Sequence, residues 1–145
     1  MRRKETKEQI SRRMALIRGK WTLPERQAHG YLKAIHARHR MHPSMPAKEL
    51  GHPDIAISGT RTVILAHGCF WHLCPACGRD LSRMKEFWRD KVTRNAARDE
   101  RQLAALRASG WDPVVVWEHD FRNGRYKEIL REAVASAKRD EAGRC

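Results

Sequence analysis

Residues 62–77 read Thr-Val-Ile-Leu-Ala-His-Gly-Cys-Phe-Trp-His-Leu-Cys-Pro-Ala-Cys, and this stretch decides the fold. Its first five residues form an apolar run, which predicts a buried β-strand. The remaining eleven residues hold three cysteines, two histidines and two adjacent large aromatic side chains. One predicted strand is therefore followed directly by candidate metal ligands, a candidate general base and rings that can stack.

The segments on either side of this stretch predict an α/β core. Residues 54–58 and 61–66 flank a Gly-Thr turn, which predicts a β-hairpin. Residues 38–51 predict a loop with a short edge strand near Arg40, and residues 113–117 predict another buried strand. Helical patterns cover residues 23–36, 82–110 and 124–138. A helix between two strands requires them to be parallel, so the sheet should be mixed.

The length of 145 residues suits one compact domain. We expect a basic N-terminal arm over residues 1–20, a single domain over residues 21–138 and a loose tail over residues 139–145. The chain contains no apolar span long enough for a bilayer and no typical secretory signal. The expected location is the bacterial cytoplasm, next to the nucleoid, with no membrane partner.

The charge of the chain indicates a polyanionic partner. The formal net charge is +13, and the first twenty residues hold eight basic and two acidic side chains. A small protein with this charge most often binds nucleic acid. A basic surface that is merely solvated is the alternative.

The cysteines predict a zinc site. Three of the four lie at Cys69, Cys74 and Cys77, which is metal-ligand spacing and a poor disulfide framework. The fourth ligand is either Cys145 or His119. His119 is favoured because it follows the strand predicted to run parallel to residues 61–66, so both carboxyl ends reach one edge of the sheet. Three free thiols and an exposed histidine are the alternative.

Asp54 is the candidate ligand for a second metal. It begins a buried strand, where an unpaired carboxylate is costly. A Mg²⁺ ion can compensate this charge by binding the Asp54 carboxylate and a backbone carbonyl near Ala66, whereas a simple turn cap is the alternative. If the zinc site is filled by other residues, His67 and His72 remain available as general bases.

Aromatic residues in the same loop suggest contact with bases. Phe70 and Trp71 lie between the candidate metal ligands, and Trp88 lies near the start of the next helix. Rings on a rigid, positively charged loop can stack on bases or wedge between base pairs, although core packing is their usual role. Trp111 and Trp117 follow the strand pattern and are predicted to be in the core.

These residues resemble the very-short-patch repair (Vsr) DNA mismatch endonuclease family. The main match is Val-Ile-Leu-Ala-His-Gly-Cys-Phe-Trp-His at residues 63–72. Supporting matches are Gly-His-Pro-Asp at 51–54, Glu-Phe-Trp at 86–88 and Val-Val-Trp-Glu at 115–118. The resemblance extends from about residue 7 to residue 121, and its central motif is highly specific.

The resemblance implies a restriction-endonuclease-like fold, with a mixed β-sheet flanked by helices and a structural zinc loop. It implies a Mg²⁺-dependent enzyme that nicks one strand of duplex DNA 5′ to the thymine of a T:G mismatch left by deamination of 5-methylcytosine. Such an enzyme would serve DNA repair, would work as a monomer and would be a candidate partner of mismatch-repair proteins.

The resemblance also implies a role for each site residue. Asp54 and the main-chain carbonyl of Ala66 would hold Mg²⁺, and His72 would be the general base. His67 and Asp99 would assist this base, and Glu25 would lie near the metal-bound waters. Three aromatic residues would wedge into the duplex: Phe70, Trp71 and Trp88. Glu25 has an alternative role as the acid of a capping box that begins at Thr22.

The chain departs from the family pattern at two points. Ala66 stands where family members often have threonine, and a loss of rate would follow if that hydroxyl contributes. The family commonly mixes cysteine and histidine in the zinc loop and has a cysteine after the Trp-Glu pair, whereas here His119 follows that pair. Two other functions stay open: a restriction-like nuclease on unmismatched DNA, and a non-catalytic, zinc-stabilised DNA-binding module.

Overall fold

The computed structural model describes residues 5–15, 21–78 and 80–143, with backbone only for residues 13–15. The elements within this part of the chain are α1 (Lys7–Ala15), α2 (Leu23–Ala34), β1 (His39–Met41), β2 (Ile55–Ile57), β3 (Thr62–His67), α3 (Glu86–Ala108), β4 (Asp112–Trp117), α4 (Glu118–Asn123) and α5 (Tyr126–Ala142). Short 3-10 turns at Lys48–Leu50 and Leu81–Arg83 lie in the connections.

The four strands form one mixed sheet in the order β1-β2-β3-β4. The first three strands are antiparallel neighbours, and Ile55 pairs with Ile64 in the β2–β3 hairpin. Strand β4 is parallel to β3, which aligns His67 with Trp117 at their carboxyl ends. The predicted hairpin, edge strand and parallel pair are therefore confirmed.

Helices cover both faces of the sheet. One core cluster joins Leu32 of α2 and Leu130 of α5 to Ile64 of β3. The other joins Leu106 of α3 to residues 63 and 65 of the same strand. Successive strand residues point to opposite faces, so a continuous apolar run serves both clusters at once. This layered α/β architecture is the predicted fold class.

The structure differs from the sequence predictions in several details. Helix α4 was not predicted, because six residues are too few to show a hydrophobic period. Trp111 and Trp117 are half-buried rather than fully in the core. Helix α5 continues to Ala142, through four residues of the segment that we expected to be a loose tail.

Cys145, the alternative fourth zinc ligand, and residues 1–4 and 16–20 of the predicted basic arm lie outside the described residues. The division into arm, domain and tail stays a prediction. Within the described ranges, none of the helices combines the length and the apolar character needed to cross a membrane.

Candidate active site and metal centre

Asp54 lies where the β2–β3 hairpin opens. Its backbone N–H donates to the carbonyl of Ile64 at 3.0 Å, and its side-chain Oδ2 accepts from the backbone N–H of Ala66 at 2.7 Å. The N–H and C=O of a residue in an antiparallel pair face the same neighbouring strand. The carbonyl of Ala66 therefore faces the same side as the Asp54 carboxylate.

Glu25 joins Asp54 from the first turn of α2. It is only 3% exposed, and its Oε2 accepts from the backbone N–H of Thr22 at 2.9 Å, as a capping-box acid does. It also shares a hydrogen bond with the Asp54 carboxyl group. The two alternative roles of Glu25, helix cap and neighbour of the acidic site, are thus compatible. We call Asp54 and Glu25 the acidic pair.

The two carboxyl groups of the acidic pair have pKa values shifted in opposite directions. Burial, together with the hydrogen bond to Glu25, raises the pKa of Asp54 to about 7. Burial also raises the pKa of Glu25, but hydrogen bonds from Asp54, Thr22 and His42 outweigh it and leave that pKa lowered. The charge of the neighbouring Glu25 raises the pKa of Asp54 in the same direction, whereas the hydrogen bond from the Ala66 backbone lowers it.

The surroundings of the acidic pair fit a divalent cation with oxygen ligands. Carboxylate and carbonyl oxygens are the ligands that Mg²⁺ prefers, and it usually retains several waters. A cleft of about 480 Å³, lined by residues 42–48 and 51–54, opens beside Asp54. This cleft provides room for such waters and for an approaching phosphate.

Two histidines and an aspartate continue the site beyond Ala66. His67 ends β3, and its ring stacks on that of His72, with centroids 4.1 Å apart and planes 7° apart. The Nδ1 atom of His72 lies 2.5 Å from Oδ2 of Asp99, on α3. We call His67 and His72 the histidine pair. Asp99 fixes the orientation of the outer ring of this pair.

His67 is held in its neutral form. Burial lowers its pKa to about 4, the neighbouring His72 lowers it further, and the charge of Asp99 acts in the opposite direction. Its ring also meets that of Trp117 edge-on, with centroids 5.3 Å apart. A neutral His67 leaves the stacked ring of His72 free to take up a positive charge without like-charge repulsion.

Cys69, Cys74, Cys77 and His119 form a Cys3His cluster. The three sulfur atoms lie 3.3, 3.6 and 3.6 Å from Nδ1 of His119. Zn–S bonds of about 2.3 Å and a Zn–N bond of about 2.0 Å in a tetrahedron give an S···N separation of about 3.5 Å. The four side chains thus have the composition and spacing of a structural zinc site. Hydrogen bonding to Cys69, with desolvation and a hydrogen bond to Cys74, raises the pKa of Cys77 to about 11.

The sequence analysis missed two residues of these sites. Oδ1 of Asp120 lies 3.4 Å from Nε2 of His119, and its Oδ2 accepts from the backbone N–H of Trp117. This carboxylate orients the imidazole, and its sequence signal was its position directly after a candidate ligand. Nε2 of His42 lies 3.2 Å from Oε2 of Glu25, and nothing in the irregular loop after β1 indicated that contact.

Phe70, Trp71 and Trp88 form a ring cluster, as all three are in mutual edge-to-face contact. The centroid distances are 4.9 Å for Phe70–Trp71, 5.5 Å for Trp71–Trp88 and 6.2 Å for Phe70–Trp88. All three rings are half-buried. The side chain of Asn95 donates to the carbonyl of Trp71, and the ammonium group of Lys91 lies 5.7 Å from the Trp71 ring. The ring cluster is therefore anchored to α3 and bordered by positive charge.

Comparisons with known proteins consistently find DNA mismatch endonucleases and nicking enzymes. The family model described as DNA mismatch endonuclease Vsr matches residues 3–77. A type II nicking enzyme of Xanthomonas oryzae pv. oryzae, V.XorIIP, is 41% identical over 108 residues, which cover 72% of this chain and 76% of that protein. The DNA mismatch endonuclease Vsr of Escherichia coli is 40% identical over 79 residues, covering 53% of this chain and 49% of that protein.

A further relative and a solved structure extend the comparison. The type II nicking enzyme V.NmeAIP of Neisseria meningitidis is 35% identical over 121 residues, which cover 82% of this chain and 81% of that protein. The catalytic domain of the homing endonuclease I-Bth0305I superposes with a TM-score of 0.57 at 15% identity, covering 81% of this chain and 98% of that domain. The latter likeness concerns the fold alone and agrees with the restriction-endonuclease-like architecture.

Proposed function

Because this chain belongs to the Vsr family of DNA mismatch endonucleases, we propose that it nicks one strand of duplex DNA 5′ to the thymine of a T:G mismatch, in a Mg²⁺-dependent reaction. One observation carries the proposal. A continuous path of contacts joins a half-buried carboxylate to an oriented histidine, through Asp54, Ala66, His67, His72 and Asp99. Hydrolysis of a phosphodiester needs these two functions at neighbouring positions.

Asp54 and the carbonyl of Ala66 would hold the cation, with Glu25 accepting hydrogen bonds from the waters around it. When bound, Mg²⁺ supplies positive charge that stabilises the charge developing on the phosphate. A main-chain carbonyl is independent of the side chain, so Ala66 serves this role as well as a threonine would.

His72 is the general base in this proposal. Its Nδ1–H donates to Asp99, which leaves Nε2 as the atom that accepts a proton from the attacking water. Asp99 then stabilises the imidazolium that forms. His67 remains neutral and buried beneath the ring, where it keeps His72 in place by stacking.

The ring cluster and the net charge of +13 support a DNA duplex as the substrate. Phe70, Trp71 and Trp88 would wedge beside the mismatch, where base pairs are already weakened, and Lys91 borders them for contact with phosphate. Zinc in the Cys3His cluster would hold the loop that carries two of these rings, since Cys69 and Cys74 bracket Phe70 and Trp71 in sequence.

The remaining expectations stay predictions. A single chain contains all the residues of the proposed site, so a monomer suffices for a single-strand nick. A location in the cytoplasm and contact with mismatch-repair proteins follow from the proposed role in repair.

A nicking assay tests the proposal. Two end-labelled duplexes are compared, one with a single T:G mismatch and one with a matched pair at that position, each with and without Mg²⁺. We expect a nick 5′ to the thymine only in the mismatched duplex with Mg²⁺, and we expect Asp54→Ala and His72→Ala to abolish it.

Other results would favour a different function. Equal cutting of the matched duplex would indicate a restriction-like nuclease. Tight, salt-sensitive binding without cleavage in any divalent metal would indicate a DNA-binding module. Wild-type rates in both variants would refute the assigned residues.

A further inference from the structure

His42 is a half-buried histidine that the proposed reaction does not use. It directly follows β1, and its φ of +50° lies in the left-handed region, which is uncommon for a residue with a Cβ atom. Its side chain is 14% exposed. A histidine in such a backbone conformation, with a ring largely shielded from solvent, suggests a specific role for that ring.

The contacts of His42 connect it to both members of the acidic pair. Its backbone N–H donates to the carbonyl of Asp54 at 2.7 Å. Its imidazole Nε2 lies 3.2 Å from Oε2 of Glu25. One residue therefore ties the start of β2 to the first turn of α2, two elements that are distant in sequence.

The second contact restricts how the Glu25 carboxylate turns. The terminal torsion of a glutamate is broad, so a bond from the Thr22 backbone to Oε2 does not by itself fix which way Oε1 points, toward Asp54 or away from it. The bond from His42 reaches the same oxygen from another direction. With Oε2 held by two N–H donors, Oε1 is the oxygen that can turn toward Asp54 and the cleft.

The ring of Trp21 contacts the imidazole of His42. Its ring meets the His42 ring edge-on, with centroids 5.3 Å apart and planes 81° apart. It meets His29 in the same way at 5.5 Å. The Trp21 ring, itself 41% exposed, thus packs against the imidazole that contacts Glu25.

We propose that His42 is a positioning residue that aims the Glu25 carboxylate at Asp54, so that the acidic pair presents its oxygens to a divalent cation. This inference rests on the proposed function, because it assigns His42 to the same metal site. Its effect should appear as metal affinity, since an outer partner of a ligand commonly contributes 10- to 100-fold in affinity.

The test compares His42→Gln with His42→Leu. The glutamine amide nitrogen reaches about as far as Nε2 and can donate to Glu25, whereas leucine cannot. Neither residue is β-branched, so both pay a similar backbone penalty at φ +50°. His36→Leu is the matched control, because His36 is an exposed histidine with a φ of +58°.

Mn²⁺ serves as the probe, and its binding to the zinc-loaded protein is followed by electron paramagnetic resonance. We expect His42→Leu to weaken Mn²⁺ binding about tenfold, with His42→Gln and His36→Leu within about twofold of wild type. Asp54→Asn should abolish binding. Affinity for the T:G duplex without divalent metal should be unchanged in every His42 variant.

Two results would overturn the inference. One is unchanged Mn²⁺ affinity in His42→Leu, and the other is equal weakening in the leucine and glutamine variants, which would indicate a backbone effect. The proposed function fails separately: if wild type binds Mn²⁺ but does not nick T:G duplexes, the endonuclease proposal is refuted, and the role of His42 in metal binding is still decided by the resonance data.

Discussion

The Cys3His cluster and the acidic pair both use residues near the carboxyl end of β3, yet they differ in ligand chemistry and in assembly. The cluster draws three ligands from a single loop and the fourth from α4, and sulfur and nitrogen occupy all four positions. The acidic pair combines α2 and β2 with a main-chain carbonyl, and it borders an open cleft. A closed set of soft ligands suits a structural ion, whereas an open set of oxygen ligands leaves room for substrate.

Burial also has a different consequence at each of the two sites. In the Cys3His cluster, Cys69 and Cys74 are buried with a histidine that Asp120 orients, so the environment favours permanent occupancy. In the acidic pair, burial forces one carboxyl group to keep a proton near neutral pH. Binding of the proposed Mg²⁺ at the second site would displace this proton.

The largest expected effect is on catalysis at the acidic pair. We expect Asp54→Asn to lower the rate of nicking by about 10³-fold, because several kcal/mol of charge stabilisation are lost and each 1.36 kcal/mol is a factor of ten. Zinc content, measured by atomic absorption, should stay at the wild-type value. A simultaneous loss of zinc would show that the two sites are not independent.

A substitution in the Cys3His cluster should instead lower the zinc content and the stability of the protein. His119→Ala should lose bound zinc and destabilise the fold by about 3 kcal/mol or more, since binding energy at a structural zinc site is folding energy. His119→Cys keeps four good zinc ligands and serves as the control. Atomic absorption and thermal denaturation measure both variants, and wild-type zinc content in His119→Ala would assign the fourth position to another residue.

The pH dependence of stability should identify the acidic pair without any activity assay. The pKa of Asp54 rises from 3.8 to about 7 on folding, so the folded state binds the proton more tightly than the unfolded chain. Without added Mg²⁺, this group makes stability fall as pH rises from about 4 to 7. Asp54→Asn should flatten that part of the profile in urea denaturation. An unchanged slope would contradict the assigned burial of this charge.

A substitution in the ring cluster should have a smaller effect, seen in the affinity for the DNA duplex. Trp88→Ala should weaken binding of the T:G duplex by about 1–3 kcal/mol, because a stacking surface is lost, and Trp88→Phe should preserve most of it. Trp111→Ala is the control, since Trp111 packs on the core cluster of α3 and should affect stability alone. Fluorescence anisotropy gives the affinities, and equal losses in Trp88→Ala and Trp111→Ala would argue against a wedge.

The last comparison concerns stability alone and takes one glycine from each region. Gly51 (φ +66°) precedes the acidic site, and a Cβ there would lie 2.5 Å from Nε2 of Gln102, whose amide bonds to the Leu50 carbonyl. Gly78 (φ +51°) follows the last cysteine and has open space. We expect Gly78→Ala to cost about 1 kcal/mol and Gly51→Ala about 1–3 kcal/mol more. Similar losses in chemical denaturation would show that Gln102 simply moves aside.

Much of the fold and of the Cys3His cluster followed from local patterns. The apolar run before His67 and the Gly-Thr turn predicted the hairpin, and the helix between the two apolar runs required β3 and β4 to be parallel. That topology alone brought His119 to the cysteine loop. The boundaries of α3 and the existence of α4 were missed, since helix ends and short helices lack a clear period.

The contacts around Asp54, in contrast, involve residues that are distant along the chain. The family resemblance named Glu25 and Asp99, but their contacts with His42 and His72 are not visible in spacing. Each of these contacts joins a helix to a residue that follows a strand, 17 and 27 positions apart along the chain. By itself, the sequence determined which ligands exist and which strand end carries them, because periodicity and topology are local properties. Only the tertiary structure decided which carboxylate meets which histidine, because that depends on how the helices pack.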